Sequence, residues 1–282
     1  MPDPVPVVLT IAGFDPSSGA GITADIKTIA AHGCYGVSCI SALTVQSTAG
    51  VRRVVPVTSK LLAATLEELN SDVPIAAVHI GMLANGKLVS ALATFLQASK
   101  LPNVVLDPIL KSSSGTDLLD HSGRRAVVEK LLPLATVITP NAAEAAALTG
   151  LPVSNPEEMA LAASKLHGMG ASAVVITGGE LEKAIDLLSF PGPQGPQQEL
   201  FKAERQKSSS THGTGCAFST AMACHLALGR GLPEAVLLSK AYVSAAIANA
   251  VAVGKGTGPV HHLYRMDEPR RPVKTPAGPD HN

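Results

Sequence analysis

The segment Thr211-His212-Gly213-Thr214-Gly215-Cys216 sets two glycines just before Ala217-Phe218-Ser219-Thr220-Ala221, which starts a helix running to about Leu228. Glycines before a helix start let backbone N–H groups point at a common spot, and the helix start carries partial positive charge. Together they make an anion hole suited to a phosphate in flight. A plain loop with helix-compatible glycines has the same composition, and local physics does not separate the two readings. Cys216 falls in the first turn of that helix. The dipole there stabilises a thiolate, which predicts a lowered thiol pKa and a group able to take a proton from a substrate hydroxyl. The other reading of a lone cysteine, a small buried residue, is the commoner one.

Two further segments have chemical potential. Ala12-Gly13-Phe14-Asp15-Pro16-Ser17-Ser18-Gly19-Ala20-Gly21 follows a strand-like run and leads into Ile22-Thr23-Ala24-Asp25. Its glycines permit close backbone approach to a ligand or, equally, a tight structural turn. It is neither GxGxxG nor GxxxxGK[ST], so a Rossmann or P-loop nucleotide site is not indicated. In Pro140-Asn141-Ala142-Ala143-Glu144, Asn141 suits a helix N-cap with Glu144 three residues on. Capping alone explains both residues. The functional alternative places Glu144 near a hydrated Mg²⁺ between phosphates.

The elements that must position these segments follow from periodicity. Buried strands are expected at Val5–Ala12, Val37–Val45, Ala76–Ile80, Asn103–Asp107, Thr136–Thr139 and Ala173–Thr177. Helices are expected around Ile22–Ala30, over Thr58–Asn70, through Leu88, Leu92 and Leu96, and from Asn155-Pro156-Glu157-Glu158. Ile185–Phe190 and Glu199–Ala203 flank a Pro/Gly tract and can pair as a hairpin. Strand–helix alternation of this kind argues for an α/β fold with a doubly wound, mostly parallel sheet and helices on both faces. Ligands bind such sheets beyond the carboxyl ends of the strands. Gly13-Phe14-Asp15, Gln46-Ser47-Thr48, Gly81-Met82, Asp107-Pro108 and Thr139-Pro140-Asn141 are therefore expected on one edge, facing one cleft.

Composition narrows the function class. The 282 residues suit one large domain, read here as residues 1–265 followed by a disordered tail over 266–282 rich in proline and charge. A content of 46% hydrophobic but only 3% aromatic residues demands a core of Ala, Val, Ile and Leu, as in helices packed tightly on a parallel sheet. With 22 basic and 22 acidic residues, no generic electrostatic drive toward nucleic acid or a membrane surface exists. No run is long enough to span a bilayer, and Met1-Pro2-Asp3-Pro4 lacks the basic start of a signal peptide. Cys34, Cys39, Cys216 and Cys224 form no CxxC pair, which fits free thiols in a cytoplasmic protein, three of them buried.

Taken in order, the blocks Ala12 to Ile22 with Ala24-Asp25 and Lys27-Thr28, Ala42 to Thr48, Ile80 to Leu83, Leu106-Asp107-Pro108, Thr139-Pro140-Asn141 with Glu144-Ala145, Thr211 to Cys216, and Gly258 to His262 resemble the ribokinase-like superfamily. The likeness is strongest to its hydroxymethylpyrimidine/phosphomethylpyrimidine kinase branch. The resemblance implies an ATP- and Mg²⁺-dependent kinase of thiamine biosynthesis acting on a small pyrimidine, and a homodimer. It implies that Gln46 reads the aminopyrimidine edge, with Gly13, Ala20 and Met82 in the substrate pocket. It implies that Asn141 and Glu144 organise Mg²⁺ and phosphate, Glu144 indirectly. It also implies that Thr211, His212 and Thr214 belong to the nucleotide-binding block, that Gly213 and Gly215 form the anion hole, and that Cys216 is the catalytic base.

Two lysines of the family pattern are replaced, by Ser113 and by Thr177, with Lys111 two residues early, and Glu180 stands where the family favours histidine. Phe14 and Ser47 also depart from it. These changes leave pyridoxal kinase as an alternative within the fold and a non-catalytic pyrimidine-binding regulator as one outside enzymology.

Overall fold

The computed structural model describes residues 5–112, 114–179, 181, 184–193, 195–203, 208 and 210–266. Ser113, Glu180 and the tail beyond Met266 lie outside these. Among the described residues, nine strands form one sheet: β1 (Val7–Phe14), β2 (Tyr35–Ser47), β3 (Gly50–Pro56), β4 (Ile75–Ile80), β5 (Val104–Leu106), β6 (Val137–Ile138), β7 (Val174–Ile176), β8 (Ile185–Gly192) and β9 (Gly195–Lys202). Their spatial order is β3-β2-β1-β4-β5-β6-β7-β8-β9. The six strands from β2 to β7 are parallel, and antiparallel strands close both edges, β3 on one side and the β8–β9 hairpin on the other.

Side-chain alternation sorts the helices into two layers. Leu9, Ile11, Val78, Ile80, Val104 and Leu106 face a core shared with α2 (Ser59–Asp72), α3 (Gly86–Ser99), α4 (His121–Ala126), α5 (Ala142–Thr149) and α6 (Pro156–Gly168). Val8, Ala77, Val105 and Val175 face the other way, toward α1 (Gly21–Ala31), α7 (Thr214–Ala227) and α8 (Leu232–Ala248). By the same parity Thr10 and His79 point into the second layer. Both are fully buried there, among other buried polar side chains that include Asp25, Ser219 and Thr220.

The expected strands and helices are present, with ends shifted by up to four residues. Asn155 caps α6 through the Glu158 amide, and Pro156 occupies its first turn. Three elements carried no clear signal. β3 is a half-exposed edge containing Arg52 and Arg53. α4 has only six residues. α8 is an alanine-rich helix whose opening Gly231-Leu232-Pro233-Glu234 is its one sequence cue. Met266 closes a short 3₁₀ turn beginning at Tyr264.

Candidate active site

The glycine turn before α7 meets the loop after β1. Gly213 is the N-cap of α7 in a left-handed conformation, φ 84°, and has no side chain to cap the helix. A Cβ on Gly213 would lie 1.9 Å from the Gly19 carbonyl oxygen, so only glycine fits this crossing. Gly21, at φ 59°, lies equally tight against the Gly13 carbonyl. The first-turn amides of α7 thus open beside Gly19 and Ala20 at the carboxyl edge of the parallel strands. Unfilled helix N-termini of this kind attract anions.

Asp15 organises the β1–α1 loop. Its Oδ1 accepts from the Ser17 amide at 2.8 Å and the Ser17 hydroxyl at 2.7 Å. Its Oδ2 accepts from the Gly19 and Ala20 amides at 3.3 and 3.0 Å and pairs with His212 Nε2 at 3.0 Å. Burial by itself would raise the Asp15 carboxyl, but the bonds from His212, Ser17 and Ala20 outweigh it and hold the group below its ordinary value. Lys27 Nζ donates to the Ser18 carbonyl at 2.9 Å and ties the loop back onto α1.

Gln46 stands at the far end of β2, its Nε2 placed 3.3 Å from His212 Nε2 and its Oε1 3.2 Å from Thr44 Oγ1. Thr44 has one hydroxyl proton and spends it on the Phe14 carbonyl at 2.9 Å. The hydrogen-bond network therefore favours the flipped amide, with Gln46 Nε2 donating to Thr44 and Oε1 accepting from the His212 N–H that Asp15 also shares. Gln46 and His212 border a cavity of about 150 Å³ whose other polar walls are Ser47, Thr48, Ser112, Ser114 and Thr257. His212, expected beside the nucleotide, thus faces the Gln46 side of the site. Gly13 lies under Met82, whose Sδ would be 2.9 Å from a Cβ at that position.

At the neighbouring helix, Asn141 and Glu144 form a complete capping box. The Asn141 side chain accepts from the Glu144 amide at 2.8 Å, and Glu144 Oε2 accepts from the Asn141 amide at 3.0 Å. Glu144 Oε1 also reaches the Leu110 amide at 3.4 Å. Thr177, one of the replaced lysine positions, is bridged to Asn141 through backbone bonds with Pro140 and Ala142. Lys111, the lysine two residues early, makes only a loose surface pair with Asp117 at 4.0 Å.

A family model for phosphomethylpyrimidine kinase matches residues 15–261. The chain belongs to this family. It is 44% identical over 259 residues to a hydroxymethylpyrimidine/phosphomethylpyrimidine kinase of Salmonella typhimurium, covering 91% of this chain and 97% of that protein. It is 40% identical over 271 residues to the thiamine biosynthesis bifunctional protein ThiED of Geobacter sulfurreducens, covering 95% of this chain but 54% of that protein, so it spans about half its length. Among solved structures, a Clostridium difficile phosphomethylpyrimidine kinase superposes with a TM-score of 0.76 at 36% identity, covering 86% of this chain and 99% of that one. A Bacillus subtilis pyridoxal kinase in complex with ADP superposes with a TM-score of 0.84 at 33% identity, covering 94% and 100%. The fold is ribokinase-like, and the protein is a kinase.

Within this family frame, Cys216 needs a correction. The helix dipole was expected to lower its pKa, but burial pushes the thiol well above its ordinary value, and Asp107, Asp25 and Glu144 push it the same way. The Gly21 N–H opposes them and favours the thiolate, without prevailing. Burial, reinforced by carboxylates from α1, α5 and the loop after β5, outweighs the Gly21 bond and favours the thiol. Cys34, Cys39 and Cys224 are buried, as expected, and Cys216 is half-buried.

Sequence reasoning gave no role to the group beneath Cys216. Asp25 accepts from Thr10 at 2.7 Å and Thr220 at 2.9 Å, and lies 3.4 Å from His79 Nδ1. His79 Nε2 is 3.0 Å from Ser219 Oγ, which is 3.2 Å from Asp107 Oδ2. A histidine on the inward parity of an otherwise apolar strand was the available signal.

Proposed function

We propose that this protein transfers the γ-phosphoryl group of ATP to the hydroxymethyl group of 4-amino-5-hydroxymethyl-2-methylpyrimidine, and then to the resulting monophosphate, in thiamine biosynthesis. The observation that carries this reading is the meeting of an uncapped glycine helix start, Gly213–Cys216, with the serine- and threonine-walled cavity at Gln46 and His212. The two ends supply what the reaction needs: a place for a moving phosphoryl group and a reader for a polar ring edge.

Gln46 pairs with the aminopyrimidine edge, while Gly13, Ala20 and Met82 shape the ring pocket. The amides at Gly213 and Gly215 stabilise charge on the transferring phosphoryl group, with Thr211 and Thr214 beside the donor phosphates. Phosphoryl transfer proceeds through a loose transition state, so the acceptor keeps its proton until late and a strong base is not required. Cys216 takes that proton. Because its thiol starts protonated, it first releases its own proton to solvent water at this half-buried position and then takes the substrate proton as the thiolate.

The capping box commits the oxygens of Glu144 to backbone amides, and no group of three or more candidate metal ligands exists among the described residues. This fits a hydrated Mg²⁺ held mainly by phosphate oxygens, with Glu144 acting on it through water. Such an ion supplies charge neutralisation on the phosphates. No helix among the described residues is long and apolar enough to cross a membrane. A cytoplasmic homodimer without nucleic-acid partners completes the proposal.

The pyridoxal kinase superposition, at the higher TM-score, favours pyridoxal as a second acceptor. Measuring ADP release from Mg-ATP with each acceptor separates the readings. Turnover with the pyrimidine is expected. Turnover with pyridoxal alone would reassign the substrate, and tight pyrimidine binding without ADP release would leave a binding protein.

A further inference from the structure

The floor beneath α7 is a chain of polar groups running from α1 to the carboxyl end of β5, all of it out of solvent. Asp25, His79, Ser219 and Thr10 are fully buried, and Asp107 is 5% exposed. Four elements contribute: Asp25 from α1, Thr10 from β1, His79 from β4 and Ser219 from α7, with Asp107 just past β5. A fully buried histidine between two carboxylates needs a reason, since burial of charge is costly unless each charge is compensated.

Counting donors gives one. Ser219 has a single hydroxyl proton and four possible partners within reach: His79 Nε2 at 3.0 Å, Asp107 Oδ2 at 3.2 Å, and the Gly215 and Cys216 carbonyls at 3.0 and 3.2 Å. If both His79 nitrogens carry protons, Nε2–H donates to Ser219 and the hydroxyl is free to donate to Asp107. If Nε2 is bare, it accepts from Ser219, and Asp107 can bond the serine oxygen only by carrying a proton itself. The two arrangements hold the same number of protons. They interconvert when the His79 Nε2–H bond breaks, Ser219 takes that proton and its own passes to Asp107 Oδ2. His79 loses one positive charge and Asp107 one negative charge, so the cluster's total charge is unchanged.

We propose that His79 and Ser219 form a buried proton relay to Asp107, so that the charge beside Cys216 is set by a proton shared with His79. His79 is thus a positioning residue acting through Asp107. The ring lies between Asp25 and Asp107, which hold it above its ordinary pKa against the burial that would lower it. Burial lifts Asp107 to about 6, opposed by His79 and Ser219 and aided by Asp25. Both groups thus hold a proton more tightly than they would in water, and Ser219 bridges them within hydrogen-bond distance of each. Other titratable groups bearing on this floor are Cys216 of α7, which feels Asp107 next after burial itself, Glu144 of α5, which also acts on Cys216, and Cys224 of α7 and His262, both of which feel Asp25. Moving the proton to Asp107 removes a negative charge from beside the thiol and makes the thiolate easier to form.

The inference rests on Cys216 as the proton acceptor, and its test separates the two ideas. Nitrogen NMR of imidazole-labelled full-length protein, with carbon NMR of its aspartates, follows His79 and Asp107 between about pH 5 and 8. The relay predicts a common midpoint for both groups. In Ser219→Ala, which keeps a good helix former on α7, the midpoints separate. The acid limb of the kcat profile then moves by about half a unit, roughly threefold in rate, while KM for the pyrimidine stays within about twofold. Independent titration in the unmodified protein, or a Ser219→Ala profile superimposable on it, would overturn the relay. If the unmodified protein fails to phosphorylate the pyrimidine, the pyrimidine assignment falls, and the NMR midpoints still decide the relay.

Discussion

Two helix starts face the same edge of the sheet and are finished in opposite ways. α5 closes on itself: Asn141 and Glu144 satisfy each other's amides, and a second Glu144 oxygen reaches the loop after β5. α7 begins on a left-handed glycine with no capping side chain, pressed against the Gly19 carbonyl. The same local physics, unpaired N–H groups at a helix end, is used up internally in one case and left without a capping side chain in the other. The sealed end holds its carboxylate in place. The open end holds its glycines in place, and side chains are excluded by backbone on the other side.

This contrast is broken most severely at Cys216. Cys216→Ala is expected to lower turnover by roughly 10²–10⁴ while leaving pyrimidine affinity intact, the range for a lost general base. Steady-state kinetics with calorimetry checks both halves, and unimpaired turnover would leave the open backbone as the whole of catalysis. Gly213→Ala attacks that backbone directly. The methyl must displace Gly19, which is expected to cost about 100-fold in turnover through misplacement and about 1–2 kcal/mol in stability from the left-handed strain. Denaturant melts and kinetics on the same preparation measure the two together.

Gln46→Leu tests whether the far wall of the site reads the pyrimidine. It should weaken pyrimidine binding by about 1–3 kcal/mol, because polar ring atoms are left unpaired. ATP affinity should hold, and equal losses for both ligands in calorimetry would make Gln46 a structural partner of His212. The smallest effect belongs to the sealed helix. Asn141→Ala should cost about 1 kcal/mol of stability, the usual worth of an N-cap, with turnover within a few-fold of the unmodified protein. A turnover loss matching that of Cys216→Ala would put Asn141 in the catalytic machinery.

Much of the frame could be read before any coordinates. Apolar runs gave the parallel strands, and Asn155-Pro156 marked the start of α6 because capping and proline placement are local effects. The capping box at Asn141 and Glu144 was visible for the same reason. Edge strand β3, with its paired arginines, and alanine-rich α8 were missed because neither carries strong periodicity. The Cys216 pKa was read in the wrong direction. The helix dipole is a local property, whereas burial of the thiol, and after it the carboxylates of residues 25, 107 and 144, come from tertiary packing.

The sequence alone determined which stretches are strands and helices, where only glycine can turn, and which ordered blocks mark the family. It also set the parity that turns Thr10 and His79 toward the same layer. What only the tertiary structure decided is which groups meet. His212 pairs with Asp15 across 197 residues, and His79 with Ser219 across 140. Those distances close because α1 and α7 pack on one face of the sheet. Desolvation and charge pairing depend on who the neighbours are, and neighbours this remote leave no mark on local periodicity.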